Sequence, residues 1–218
     1  MVNNLGLQNS ILNEFISEIR DMEIQKDAMR FRRNMERIGE IFAYEVSKNF
    51  NYTTREVITS LGVSEVAVLA EQPVIATILR AGLPLHQGIL NYFDKAQNAF
   101  VSAYRRHHKS GKFDIQIEYT SGPSIEDKIL ILSDPMLATG SSMLLTYKQL
   151  LENGKPKHTH IVTVIASIQG VEYLNKHLSS EEYSLWVAAI DDELTAQSYI
   201  VPGLGDAGDL AYGSKLNN

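Results

Sequence analysis

The sequence predicts an α/β fold: a mostly parallel central sheet flanked by helices. Three observations predict it. Apolar runs without polar alternation recur at Pro73–Leu79, Ile129–Leu132 and Thr159–Ser167, as strands covered on both faces require. Stretches with apolar residues at helical spacing lie between those runs. Alternation of the two along one chain implies right-handed crossovers, and therefore parallel pairing.

Taken in order, Asn9 or Ser10 can cap a first helix in which Ile11, Leu12, Phe15, Ile16 and Ile19 make one apolar stripe. A second helix spans about Lys26–Lys48, with Met29, Met35, Ile38, Ile41, Phe42 and Val46 as its stripe. Arg30, Arg32, Arg33 and Arg37 flank that stripe, and the nearby Glu36 and Glu40 make a solvated face the reading rather than an anion site. Arg55–Thr59 and Glu65–Leu69, separated by Ser60–Ser64, read as a hairpin arm outside the sheet, suited to pairing with a second subunit or to a plain edge. Pro73–Leu79 is a strand that ends at Arg80-Ala81-Gly82-Leu83-Pro84, and a helix continues over Leu83–Phe93. Asn98–Tyr104 is a third strand and runs into the basic loop Tyr104–Lys112. His107-His108 there is not read as a metal pair, because adjacent side chains diverge and no carboxylate motif accompanies them.

Phe113–Tyr119 alternates as a strand, and Gly122-Pro123 turns it toward the central run Ile129–Leu132. The next helix carries Met143, Leu144, Tyr147, Leu150 and Leu151, with Gly154 placed to close it as a left-handed cap. Thr159–Ser167 (strand), Gly170–Leu178 (helix) and Tyr183–Ile190 (strand) complete the alternation. The division expected is a single unit over 1–218: N-terminal helices at about 9–48, a core at about 70–190, and a C-terminal segment at about 191–215.

Composition narrows the function. The chain has 218 residues, 44% hydrophobic and 21% charged, with a formal charge of −6. That balance argues against nucleic acid or an anionic membrane surface as partner, since both need a basic face. Without cysteine there is neither a disulfide nor thiolate chemistry. The opening MVNNLGLQNS lacks the basic-then-apolar pattern of a secretory signal, and no apolar run is long enough to span a bilayer, so a cytoplasmic protein is expected.

Lys128–Gly154 organises the rest. Asp134 follows an apolar strand, at the sheet edge where open α/β folds bind ligands. Ala138-Thr139-Gly140-Ser141-Ser142 then opens a helix, so unpaired N–H groups and the helix dipole face outward, and small side chains let a phosphate approach. Asp134 would repel that phosphate and suits neutral hydroxyls such as those of a ribose. At the other end, Tyr199–Asp209 (YIVPGLGDAGD) is rich in glycine and acid. On its residues it is a surface turn or a calcium loop, and the regular ligand spacing of the latter is missing.

At the level of whole motifs the chain resembles the uracil phosphoribosyltransferases. Asp134–Ser142 matches that family's loop for 5-phospho-α-D-ribose 1-diphosphate (PRPP) everywhere except Ser141, where the family usually has glycine. ILRAGLP resembles its pyrophosphate loop, Tyr104-Arg105 the start of its flexible loop, and YIVPGLGDAGD its uracil-binding hood. Arg106 and His107 depart from the asparagine and glutamate common there.

The resemblance implies a phosphoribosyltransferase-type fold and the salvage reaction of uracil and PRPP giving UMP and diphosphate. It assigns PRPP to Arg80, Arg105, Asp134, Pro135, Met136, Leu137, Ala138, Thr139, Gly140, Ser141, Ser142 and Asp206. Uracil goes to Ile200, Gly205, Asp206 and Ala207, largely through backbone groups that can read its carbonyls and N–H donors. It also implies Mg²⁺ entering with PRPP, a homo-oligomer (dimer or higher), and GTP as an effector as in some relatives. No residue is named as a general base. Two other classes compete: an RNA-binding regulator on the same fold, which needs a basic face, and a purine transferase, which needs room for a second ring.

Overall fold

The structure is a computed structural model and describes residues 1–107 and 113–215, with side chains described outside 104–116. Its elements in chain order are β1 (Val2–Asn4), α1 (Ile11–Arg20), α2 (Ala28–Ser47), β2 (Tyr52–Thr59), β3 (Gly62–Leu69), β4 (Val74–Leu79), α3 (Leu83–Tyr92), β5 (Gln97–His107) and β6 (Phe113–Ser121). There follow β7 (Ile129–Ser133), β8 (Met136–Leu137), α4 (Ser141–Leu150), β9 (His158–Ser167), α5 (Ile168–His177), β10 (Tyr183–Asp191), β11 (Glu193–Leu194), β12 (Ile200–Val201) and α6 (Ala207–Tyr212).

Among the described residues the main sheet has the order β1-β10-β9-β7-β4-β5-β6, with β8 beside β9. Its pairings are parallel except for β5 with β6. This is the mostly parallel, helix-flanked sheet that the apolar runs imply. Period-two alternation splits the strands between two cores. Ile75 and Ile131 face Phe31, Met35, Ile38 and Phe42 of α2. Val74, Ala76, Leu130 and Leu132 join Met143, Tyr147 and Leu174 of α4 and α5 in the other core. Each such Phe or Leu contributes roughly 1.5–3 kcal/mol by leaving water.

Capping sets the helix starts. The Ser10 hydroxyl accepts from the Leu12 N–H, and Asp27 accepts from the N–H groups of Met29 and Arg30. The second helix therefore begins at Ala28 rather than at Lys26. Its apolar stripe is shorter than the sequence pattern, because Met29 is exposed; Ile11 of α1 is exposed as well. The arginine face is only partly solvated: Arg33 pairs with Glu36 and Arg30 with Glu18, whereas Arg32 donates to the Ala211 carbonyl at 2.6 Å. Gly154 has φ +120° and ψ 173°, a positive φ that favours glycine, and it caps the short 3-10 turn that follows α4, its N–H donating to the Leu151 carbonyl.

The hairpin β2–β3 stands off the main sheet, with a turn only at Ser60-Leu61, tighter than the expected five-residue connection. Among the described residues, no helix is long and apolar enough to cross a membrane.

Candidate active site

Two loops leave the same sheet edge because their strands are parallel neighbours: Thr77 of β4 is registered with Ser133 of β7. The loop after β4 is Arg80–Gly82, and the loop after β7 is Asp134–Gly140. A buried clasp fixes them side by side. The Thr77 hydroxyl donates to the Ser133 carbonyl at 3.0 Å, and the Ser133 hydroxyl donates to the Ala76 carbonyl at 3.2 Å. The Leu79–Arg80 peptide bond is cis.

In the second loop, the Pro135 carbonyl accepts from the N–H groups of Val164 and Ile165 at 3.1 and 3.0 Å, anchoring the chain to β9. The Ala138 carbonyl accepts from the Ser167 hydroxyl at 2.5 Å. Gly140 turns the chain into α4 at φ +79°, and a Cβ there would lie 2.9 Å from Tyr173. This is the position in the loop that glycine alone fits comfortably. Ser141, in contrast, is the first residue of α4 and has no positive φ. Its N–H faces the Thr139 hydroxyl at 3.4 Å, so serine in place of glycine carries no backbone strain.

The third wall comes from the C-terminal segment. Asp191 at the end of β10 accepts a two-pronged pair of hydrogen bonds from Arg20, both at 2.8 Å, and a third from the Gly203 N–H at 2.8 Å. Arg20 also donates to the Gly203 carbonyl at 2.9 Å. Burial alone would raise the Asp191 carboxyl, but Arg20 and the Gly203 N–H outweigh it and hold it below the usual carboxylate range. The network fastens the Pro202–Leu204 turn to α1. Beyond the turn, Gly205 adopts φ +94° with open space on its Cβ side, and Asp206 caps α6 by accepting from the Asp209 N–H at 3.0 Å.

Together these elements surround a cleft of about 980 Å³. Of the residues singled out in the sequence, Arg80, Asp134, Met136, Leu137, Ala138, Thr139, Gly140, Ser142, Ile200, Gly205, Asp206 and Ala207 line it. Pro135 and Ser141 do not: the first ties the loop to β9, and the second sits in the first turn of α4. Arg105 lies on β5 opposite Ile115, and its side chain is outside the described set, as is the loop 108–112. Residues that the sequence did not point to also reach the cleft: Ser102, Ala103, Tyr199, Asp209 and Lys215. Asp209 was in view within YIVPGLGDAGD, but nothing in that string says which acid faces inward.

Asp134 accepts from the Met136 N–H at 3.4 Å and is partly buried. Among the described residues, no three His, Cys, Asp or Glu cluster as a preformed metal cage. Asp134 and Asp206 do line one cleft, a donor set suited to a cation that arrives with its own phosphate ligands.

Comparison with known proteins agrees with this geometry. The sequence model described as uracil phosphoribosyltransferase matches residues 6–214. A curated uracil phosphoribosyltransferase from Porphyromonas gingivalis is 57% identical over 213 residues, covering 98% of each chain. One from Thermococcus gammatolerans is 35% identical, covering 94% of this chain and 90% of the other. A solved structure of a protein from Aquifex aeolicus superposes with a TM-score of 0.86 at 27% identity, covering 100% of both chains.

Proposed function

The chain belongs to the uracil phosphoribosyltransferase family, and from that premise we propose how its residues divide the work of the reaction. It has the phosphoribosyltransferase fold and is a pentosyltransferase: uracil and PRPP give UMP and diphosphate, a step of pyrimidine salvage. The division of labour rests on one observation. The loops after β4 and β7 and the C-terminal hood open onto a single cleft of about 980 Å³.

In this reading, Arg80 and Arg105 hold the diphosphate of PRPP, Arg80 with a forked guanidinium suited to its oxygens. The segment Ala138–Ser142 holds the 5-phosphate with backbone N–H groups and the hydroxyls of Thr139 and Ser142. Asp134 takes the ribose hydroxyls, and Pro135 and Ser141 keep the loop in shape. Uracil lies against Ile200 and Gly205–Ala207, where an open Gly205 gives the base access to backbone groups. Catalysis is then positioning of the two substrates and charge stabilisation at the departing diphosphate, with no side chain required as a general base. Mg²⁺ would be held chiefly by diphosphate oxygens and water, with Asp206 beside it, and would supply charge neutralisation on the leaving group.

The reading extends to the whole molecule. One transferase unit spans the chain in a cytoplasmic setting, which suits a polyanionic substrate that cannot cross a bilayer unaided. A homo-oligomer, dimer or higher, is supported by the hairpin arm, whose Ile58 and Leu61 are 88% and 98% exposed. GTP is included as an activator on the resemblance alone, and UMP formation with and without GTP tests it.

The test of the reaction is nucleotide formation by the purified protein with PRPP, Mg²⁺ and each nucleobase in turn. UMP from uracil, with no nucleotide from hypoxanthine, guanine or adenine, is expected. Absence of UMP at every magnesium concentration overturns the reading, and a purine nucleotide would favour the purine class.

A further inference from the structure

Arg80, the residue assigned above to the diphosphate, is bound to a carboxylate of its own chain. Its Nη2 donates to Asp209 Oδ1 at 3.1 Å and to the Gly213 carbonyl at 3.3 Å. Both acceptors belong to α6 and the turn after it, the same segment whose cap residue is Asp206. A second pair runs alongside, with Lys215 Nζ 3.5 Å from Asp206 Oδ2. Arg80, Asp206, Asp209 and Lys215 all line the cleft. The loop that grips the leaving group and the hood that reads the base are therefore joined by the Arg80–Asp209 ion pair, while Lys215–Asp206 lies within the hood's own segment.

We propose that Asp209 is the internal counter-ion of Arg80, a positioning residue that diphosphate displaces when PRPP binds and that takes Arg80 back as diphosphate leaves. The inference rests on the functional reading above and deepens it. Three physical points carry it. Arg80 is itself a donor suited to phosphate oxygens, and a carboxylate on the same guanidinium partly cancels its charge. A diphosphate drawn to Arg80 meets the negative charge of Asp209 beside it, so the two anions exclude one another. The pair is exposed enough to break easily, with 40% and 35% of the two side chains in water, so it adjusts affinity without blocking the site. Breaking it also unties the C-terminal end of α6 from the loop after β4, so the hood can settle on the base after PRPP has entered.

The test uses calorimetric titration of diphosphate with Mg²⁺ into the full-length protein. D209N should bind diphosphate about two- to fivefold more tightly than the unsubstituted protein, the range set by a partly exposed ion pair. D209E, which keeps the charge, should bind as the unsubstituted protein does, and product inhibition by diphosphate should rise in D209N alone. Unchanged or weaker binding by D209N overturns the proposal, because a residue that merely supports the fold or orients Arg80 productively would give that result. Should D209N melt early, amide exchange in the unsubstituted protein decides instead: diphosphate should speed exchange across Ala207–Tyr212, and unchanged or slower exchange overturns the latch. UMP formation by the unsubstituted enzyme separates the two levels. Its presence with a failed latch removes only Asp209's role, whereas its absence together with no diphosphate binding removes the functional reading and the latch with it.

Discussion

At the scale of single residues, the loop after β7 turns on Gly140 and not on Ser141. A left-handed φ of +79° and a Tyr173 carbon 2.9 Å from the missing Cβ single out Gly140. Gly140→Ala should distort the loop by about 1–2 kcal/mol and raise the KM for PRPP by about tenfold, measured by steady-state kinetics. Ser141→Gly should change that KM by less than about threefold, since serine there is an ordinary first residue of a helix. A tenfold or larger gain in PRPP affinity would show the serine to be a defect. Asp134 was legible in the sequence because it follows an apolar strand and precedes a small-residue loop, whereas Arg80 and Gly205 were singled out by the resemblance of ILRAGLP and YIVPGLGDAGD to the family's motifs. Asp209 was not, because its partner Arg80 lies far away along the chain and only folding brings them to 3.1 Å.

At the scale of elements, the hood stands where it does because Asp191 joins it to α1. The Asp191 side chain is only 8% exposed and meets Arg20 with both oxygens. Replacing it by asparagine leaves Arg20 without its counter-ion in a partly buried place, at about 3 kcal/mol. Asp191→Asn should lower the thermal midpoint and raise the KM for uracil about tenfold while leaving that for PRPP nearly unchanged. Equal effects on both would argue that Asp191 supports the sheet as a whole. The strands and helices with long apolar periods were readable, to within a few residues at their ends. The short ones were not. β1 is Val-Asn-Asn and exists because β10 offers it a parallel edge, and α6 is a six-residue helix held by the Asp206 cap and by Arg32 on the Ala211 carbonyl. No local pattern announces either, since their stability is tertiary.

At the scale of the whole molecule, the parallel sheet fixes the chemistry by sending the loops after β4 and β7 to one edge; alternation of apolar runs implied the parallel pairing, but not that β4 and β7 are neighbours. The same sheet buries His160, which accepts from the Trp186 indole N–H at 3.1 Å. Burial withholds water from its charged form, and nearby His158 adds to the effect, so its pKa falls from 6.5 to about 3. An unfolded chain takes up this proton near 6.5 while the folded chain does not. Stability is thus fully present above about pH 6.5 and drains as pH falls toward 3, at up to about 1.4 kcal/mol per pH unit. His160→Gln should flatten the fall of the thermal midpoint between pH 6.5 and about pH 5, read by calorimetry. An unflattened slope would place the acid sensitivity elsewhere. The exposed arm gives a second test at this scale: Leu61→Lys should shift the protein toward smaller species in sedimentation if the arm joins subunits, and an unchanged mass would assign it to an unpaired edge.

The central claim is that one loop holds the ribose phosphate while the hood, far along the chain, chooses the base. A crystal structure with UMP tests it most directly. The account predicts the phosphate within about 3 Å of backbone N–H groups in Ala138–Ser142, with the uracil edge against Ile200 and Gly205–Ala207. UMP bound in the reverse sense, or with its base away from the hood, would contradict it.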